Sequence, residues 1–142
     1  MKTIGLLGGL SWESTKEYYH IINETVKQQL GGLNSAKIVL YSVNFAEIES
    51  LQRQGRWQDI TSMLVHAAKS IEAGGADFLM LCTNTMHRVA DEIQANIRIP
   101  FLHIADAAAT AVKSRGLTSI GLLGTRITME EDFYKMRLVL SL

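Results

Sequence analysis

Apolar and polar positions alternate in blocks along the chain. Five short apolar runs have strand character, at residues 3–7, 37–43, 78–81, 101–103 and 119–123. Longer stretches with a helical period lie between them. Tyr18, Tyr19, Ile22, Val26 and Leu30 recur at three and four, and so do Ile60, Met63, Leu64, Ala67, Ala68 and Ile71. That spacing lays one apolar face along a helix. Gly74-Gly75 is expected to end the second of these helices. Arg115-Gly116 is expected to end an Ala-rich one before the fifth strand. Near-continuous apolar strands separated by helices predict an α/β fold, a parallel sheet with helices on both faces. The single proline, Pro100, precedes the fourth strand, where its missing N–H is tolerated.

Composition narrows the function classes. The 142 residues are 47% apolar, enough for the core of one ordinary domain. Fourteen basic and fourteen acidic residues balance, so neither a nucleic-acid partner nor a polybasic membrane patch is indicated. No apolar run approaches the roughly 20 residues of a membrane helix. The first ten residues carry one lysine and two interrupting glycines, with no small-residue cleavage site behind them, which argues against a signal peptide. One cysteine excludes an internal disulfide and fits a reducing, cytoplasmic setting. His20, His66, His87 and His103 lack metal-ligand spacing, so no metal is expected.

In a parallel sheet, chemistry belongs at the strand-to-helix turns. Three stand out. Residues 8–15 read G-G-L-S-W-E-S-T. The glycines permit a sharp turn close to a ligand. Ser14 and Thr15 are expected to cap the helix, with Glu17 in its first turn. The plainer reading is a tight turn alone; the glycines match neither G-x-G-x-x-G nor a Walker loop. Residues 81–87 read L-C-T-N-T-M-H. Here Cys82 ends a strand while Thr83, Asn84 and Thr85 open a helix. A helix N-terminus favours thiolate and offers N–H groups to a carboxylate. A buried, inert cysteine is the equal alternative. Residues 122–129 read L-L-G-T-R-I-T-M, placing Thr125 and Thr128 around a helix start. Capping, anion binding or both are open to them.

Taken in register, G-L-L-G-G-L-S-W-E-S-T, L-C-T-N-T-M-H and L-L-G-T-R-I-T-M-E-E-D-F-Y resemble the aspartate/glutamate racemase family, whose members act without pyridoxal phosphate. The Ser-Trp-Glu form of the first motif resembles the branch of broad amino-acid specificity. The resemblance runs from Met1 to about Tyr134. It implies an amino-acid substrate, no cofactor, and a two-base mechanism. One cysteine removes the α-proton and a second thiol returns a proton to the opposite face. Cys82 matches the first catalytic cysteine, and Thr83, Asn84 and Thr85 match the substrate-holding segment. Thr125 and Thr128 match hydroxyls near the substrate carboxylate. Leu10 stands at the mouth of the first turn, and Gln52 is a candidate contact for the substrate side chain. Arg53 and Arg126 are candidate partners for a side-chain carboxylate, though both read more readily as solvated surface charges.

The resemblance has gaps. Family members have two similar lobes, and their second cysteine lies in a Gly-Cys-Thr-Glu motif absent here. Met136-Arg137-Leu138 stands where Gly-Arg-Leu is expected. Residues 1–116 are therefore expected to form the first lobe, and residues 117–142 the first strand and helix of a second. Racemisation is expected to be impaired. His87, just over a turn beyond the thiol on the same lobe, is expected to be an ordinary helix residue and not the missing acid. An unpaired fifth strand and an apolar tail predict a homo-oligomer. The leading alternative is a non-catalytic module that binds amino acids or small carboxylates. A nucleotide-binding domain is disfavoured by the lack of lysine in the first turn, and a redox thiol by the lack of a resolving cysteine.

Overall fold

The computed structural model describes residues 1–141. Its elements run in the order β1 (Thr3–Gly8), α1 (Trp12–Leu30), β2 (Lys37–Ser42), α2 (Phe45–Arg53), α3 (Trp57–Ala73) and β3 (Phe78–Leu81). A 3₁₀ turn at Thr85–Val89 leads into α4 (Ala90–Ala95), β4 (Phe101–Leu102), α5 (Ile104–Ser114), α6 (Arg126–Glu130) and α7 (Asp132–Ser141). The four strands form one parallel sheet in the order β2-β1-β3-β4. The path from β1 to β2 and the path from β2 to β3 cross the sheet in opposite directions. Right-handed crossovers then place α1 on one face and α3 on the other. The fold is the α/β architecture that the pattern predicts.

The strand pleat sorts the side chains. Leu7 lies beside Leu81 in the sheet register. Leu7, Leu79 and Leu81 pack against Ile60, Leu64, Ala67 and Ile71, which all lie on one stripe of α3. These residues are the ones whose three-and-four spacing marks the helix. Burying each large aliphatic chain contributes about 1.5–3 kcal/mol. Gly74 ends α3, as expected. A second, smaller cluster joins Ala105 and Ala109 of α5 to Tyr134 and Leu138 of α7. The Arg137 guanidinium of α7 donates to both carboxylate oxygens of Asp106 on α5, at 2.7 and 2.8 Å.

Two expectations fail here. Residues 119–123 form no strand, and Leu123 is 92% exposed. A strand exists only through its ladder. The adjacent β4 has two residues and offers little to pair with. An unpaired fifth strand is therefore not present among the described residues, and the free sheet edges are those of β2 and β4. Leu142, the end of the expected second-lobe segment, lies outside the described residues. Ser14 and Thr15 do not cap α1. They sit inside it, Ser11 holds the N-cap position, and the first-turn acid is Glu13 and not Glu17. Among the described residues no helix is long and apolar enough to cross a membrane.

Candidate active-site cleft

The β1–α1 turn shapes the floor of a cleft. Gly9 has φ +83°. Its N–H donates to the Thr15 hydroxyl at 2.9 Å, and that hydroxyl donates to the Ser11 carbonyl at 3.0 Å. The Val43 N–H donates to the Gly8 carbonyl at 3.0 Å, which ties the turn to the chain leaving β2. Thr15 thus braces the turn from within, which makes its burial a local necessity.

The cleft opens at the carboxyl ends of β1 and β3, and α6 and the start of α7 close its far side. It holds about 1010 Å³. Leu10, Gln52, Thr83, Asn84, Thr85, Thr125 and Thr128 all line it, so the structure gathers every expected substrate-binding residue around one space. Leu10 and Thr128 are buried, Gln52, Thr83 and Thr85 half-buried, and Asn84 exposed. The hydroxyls of Thr85 and Thr125 lie 2.9 Å apart, and those of Thr125 and Thr128 3.0 Å apart. Thr125 also accepts from the Thr128 N–H, and so caps α6. The result is a chain of three hydroxyls that spans the cleft.

Cys82 stands at the end of the third strand as expected, and of its two equal readings the buried one describes its surroundings. It ends β3, and its N–H donates to the Leu7 carbonyl at 2.9 Å. Its thiol is fully buried and is not part of the cleft wall. Burial pushes the thiol up to about 12. Desolvation opposes the lowering that a helix N-terminus would give. The next element in the chain is a five-residue 3₁₀ turn beginning at Thr85, and Asn84 makes no side-chain cap. So short a turn has little aligned dipole to offset desolvation. The link to the cleft is Ser14, whose hydroxyl donates to the Cys82 carbonyl at 2.7 Å and which itself lines the cleft.

His87 is buried. Its Nδ1 lies 2.7 Å from the Thr83 carbonyl, and its Nε2 accepts from the Ile104 N–H at 3.2 Å. Its ring packs edge-on against Phe101 and His103. Burial lowers His87 to about 3, with His103 adding to the effect. The sequence reading of an ordinary helix residue understated this ring, whose two partners lie far apart in the chain.

The two arginines are partnered. Arg126 donates to Glu130 at 2.8 Å and is 86% exposed. Arg53 pairs with Glu49 and borders a smaller adjoining cleft of about 340 Å³. Both pairs are exposed and made through Nε alone, and Arg126 also lines the main cleft. Residues the sequence reading missed also line the main cleft: Ser14, Phe45, Ile127, Glu131 and Tyr134. Tyr134 lies within the third quoted motif, so that motif was the available signal. Glu131 lies in the same motif; its partner Arg88, at 2.9 Å, also stacks 4.1 Å over the Trp57 ring.

The structure is a parallel α/β lobe with a hydroxyl-lined cleft at its strand ends and a buried cysteine next to that cleft. The chain belongs to the Asp/Glu/hydantoin racemase family, whose family model matches residues 7–139. Over 98% of its length it superposes on a proposed Asp/Glu racemase of Yersinia pestis, with TM-score 0.94 and 57% identity. It also superposes on an aspartate racemase homologue of Pyrococcus horikoshii OT3, with TM-score 0.88 and 35% identity over 99% of the chain. It is 24% identical over 135 residues to the broad specificity amino-acid racemase RacX of Bacillus subtilis (strain 168), matching 93% of this chain. The chain spans 58% of RacX and 60% and 62% of the two solved proteins.

Proposed function

We propose that this lobe carries one half of a cofactor-independent amino-acid racemase site, with Cys82 as the base for one face of the α-carbon. The observation that supports this most is the convergence of Leu10, Gln52, Thr83, Asn84, Thr85, Thr125 and Thr128 on one cleft beside Cys82. The hydroxyls of Thr85, Thr125 and Thr128 would hold the substrate carboxylate and meet charge that develops as the α-proton leaves. Burial favours the neutral thiol, so the thiolate is a minor species at pH 7. The thiolate so formed is a correspondingly strong base, which a weakly acidic α-proton requires. Return of a proton to the opposite face needs a second acid, and this chain has no second cysteine. Cys82 alone therefore exchanges the α-proton with solvent and leaves the centre uninverted.

The Ser-Trp-Glu form of the first motif, which resembles the branch of broad specificity, supports a neutral amino acid as a substrate to set beside aspartate. The test is proton NMR of L- and D-methionine and aspartate in D₂O, with chiral analysis. Wild type is expected to wash out the α-proton of one enantiomer of methionine without inversion, and Cys82→Ser to abolish exchange, a loss of at least about 100-fold. Folded wild-type protein that binds methionine but exchanges nothing would favour the second reading, a non-catalytic amino-acid-binding module. The buried, neutral thiol is the observation on that side.

We also propose a homo-oligomer, on a different basis from the expected fifth strand. Leu40 of β2 and Leu102 of β4 are 44% and 50% exposed beside the free sheet edges. Sedimentation at micromolar concentration should show a dimer or larger species, and a monomer across that range would refute it.

A further inference from the structure

We propose that His87 is a positioning residue of the cleft: its neutral ring, protonated at Nδ1, holds the Thr83 carbonyl and the first N–H of α5 at one fixed separation. The geometry sets the tautomer. A carbonyl only accepts, so the 2.7 Å contact with Thr83 requires the proton on Nδ1. A backbone N–H only donates, so the 3.2 Å contact with Ile104 requires the lone pair on Nε2. Adding a proton would leave Nε2–H facing Ile104 N–H, donor against donor. Removing the ring would leave a part-buried carbonyl and a part-buried N–H without this partner.

The consequence reaches both walls of the cleft. On one side the ring holds Thr83, and through it the segment with Asn84 and Thr85. On the other side it holds the start of α5, whose first-turn Asp106 is gripped by Arg137 of α7. Helix α7 carries Tyr134, which lines the opposite wall. His103 caps α5 by accepting from the Ala105 N–H at 3.1 Å, and its ring centre lies 4.4 Å from that of His87. The charged and titratable groups that act on this pair are Arg137 of α7, Asp106 of α5 and Asp91 of α4. His87 therefore sets the distance between the hydroxyls of the first lobe and the wall formed by α7. The proposal rests on the racemase reading only for what the held segment does.

The test uses ¹⁵N NMR of the histidines and hydrogen exchange of the 83–85 amides in the full chain, with methionine titration as a third readout. In wild type, His87 is expected to show the Nδ1–H tautomer and to stay neutral at pH 5. His87→Leu should speed exchange of the 83–85 amides by at least about 10-fold and weaken methionine binding by a similar factor, as expected on losing about 1.4 kcal/mol or more. His87→Gln, whose amide both donates and accepts, should restore most of both. An Nε2–H tautomer, titration near pH 6.5, or 83–85 amides unchanged in His87→Leu would overturn the proposal. If His87→Leu does not fold, the wild-type tautomer and the amides of His87→Gln decide it. A wild type that binds no methionine sinks the racemase reading, while the tautomer and amide results still decide this one.

Discussion

Lowering the pH from 7.5 to 4.5 is expected to destabilise the chain by roughly 3–5 kcal/mol, with uptake of two protons on unfolding. His87 and His103 are both buried and both depressed, to about 3 and about 4, from the ordinary value of 6.5. Desolvation is the main cause at each, and the Arg137 guanidinium disfavours a second positive charge. The unfolded chain takes up protons near 6.5 and the folded chain does not. Stability from this pair is therefore complete above about 6.5 and is lost as pH falls towards 4 and 3. The expected loss is a large share of the roughly 5–15 kcal/mol that a domain of this size has. Urea midpoints at pH 7.5, 6.5, 5.5 and 4.5 measure it. A midpoint that does not move between pH 6.5 and 4.5 would mean that both rings are open to protonation in the folded state, and half the expected shift that one of them is.

Gly9→Ala is expected to cost about 3–5 kcal/mol and to leave little folded protein. Two effects add. At φ +83° a side chain is strained. A Cβ there would also press on the Val43 carbonyl oxygen and lie 2.6 Å from the Val43 nitrogen. Those are backbone atoms in a turn tied by the Val43-to-Gly8 hydrogen bond, so they have no rotamer by which to give way. Gly31→Ala separates the two effects. Gly31 also has positive φ, at 71°, but nothing lies within 4 Å of its Cβ position. Its replacement should cost about 1–3 kcal/mol, the strain term alone. Equal urea midpoints for the two variants would show that the crowding at Gly9 carries no energy.

The parts of this protein that were legible in the sequence are those ruled by local period. The α3 stripe from Ile60 to Ile71 faces the sheet as its spacing requires, and Gly74 ends the helix. The runs at 3–7, 37–43, 78–81 and 101–103 are β1 to β4 within a residue or two. The run at 119–123 has the same apolar character and forms no strand. Period reports what a segment buries; it does not report whether a partner strand stands beside it. The caps failed for a related reason. Ser14 and Thr15 have the right chemistry for a cap, yet α1 begins at Trp12, because the turn at Gly9 brings Thr15 back onto its own N–H.

The candidate site divides in the same way. Three short motifs named six of the residues that line the cleft, Leu10, Thr83, Asn84, Thr85, Thr125 and Thr128, because residue type and order survive in one dimension; Gln52 and Phe45 lie outside them. That Cys82 lies under the wall and not in it, with its thiol raised and not lowered, depends on how many atoms surround it. The bracing of Thr83 by His87, and of His87 by Ile104, joins residues from two separate turns. The sequence by itself determined the fold class, the family and the set of groups available for chemistry, since these come from local spacing and motif order. Only the tertiary structure decided the protonation of the thiol and the two histidines, and the distance between the cleft walls. Those depend on burial and on contacts between distant segments, which desolvation and packing set after the chain has closed on itself.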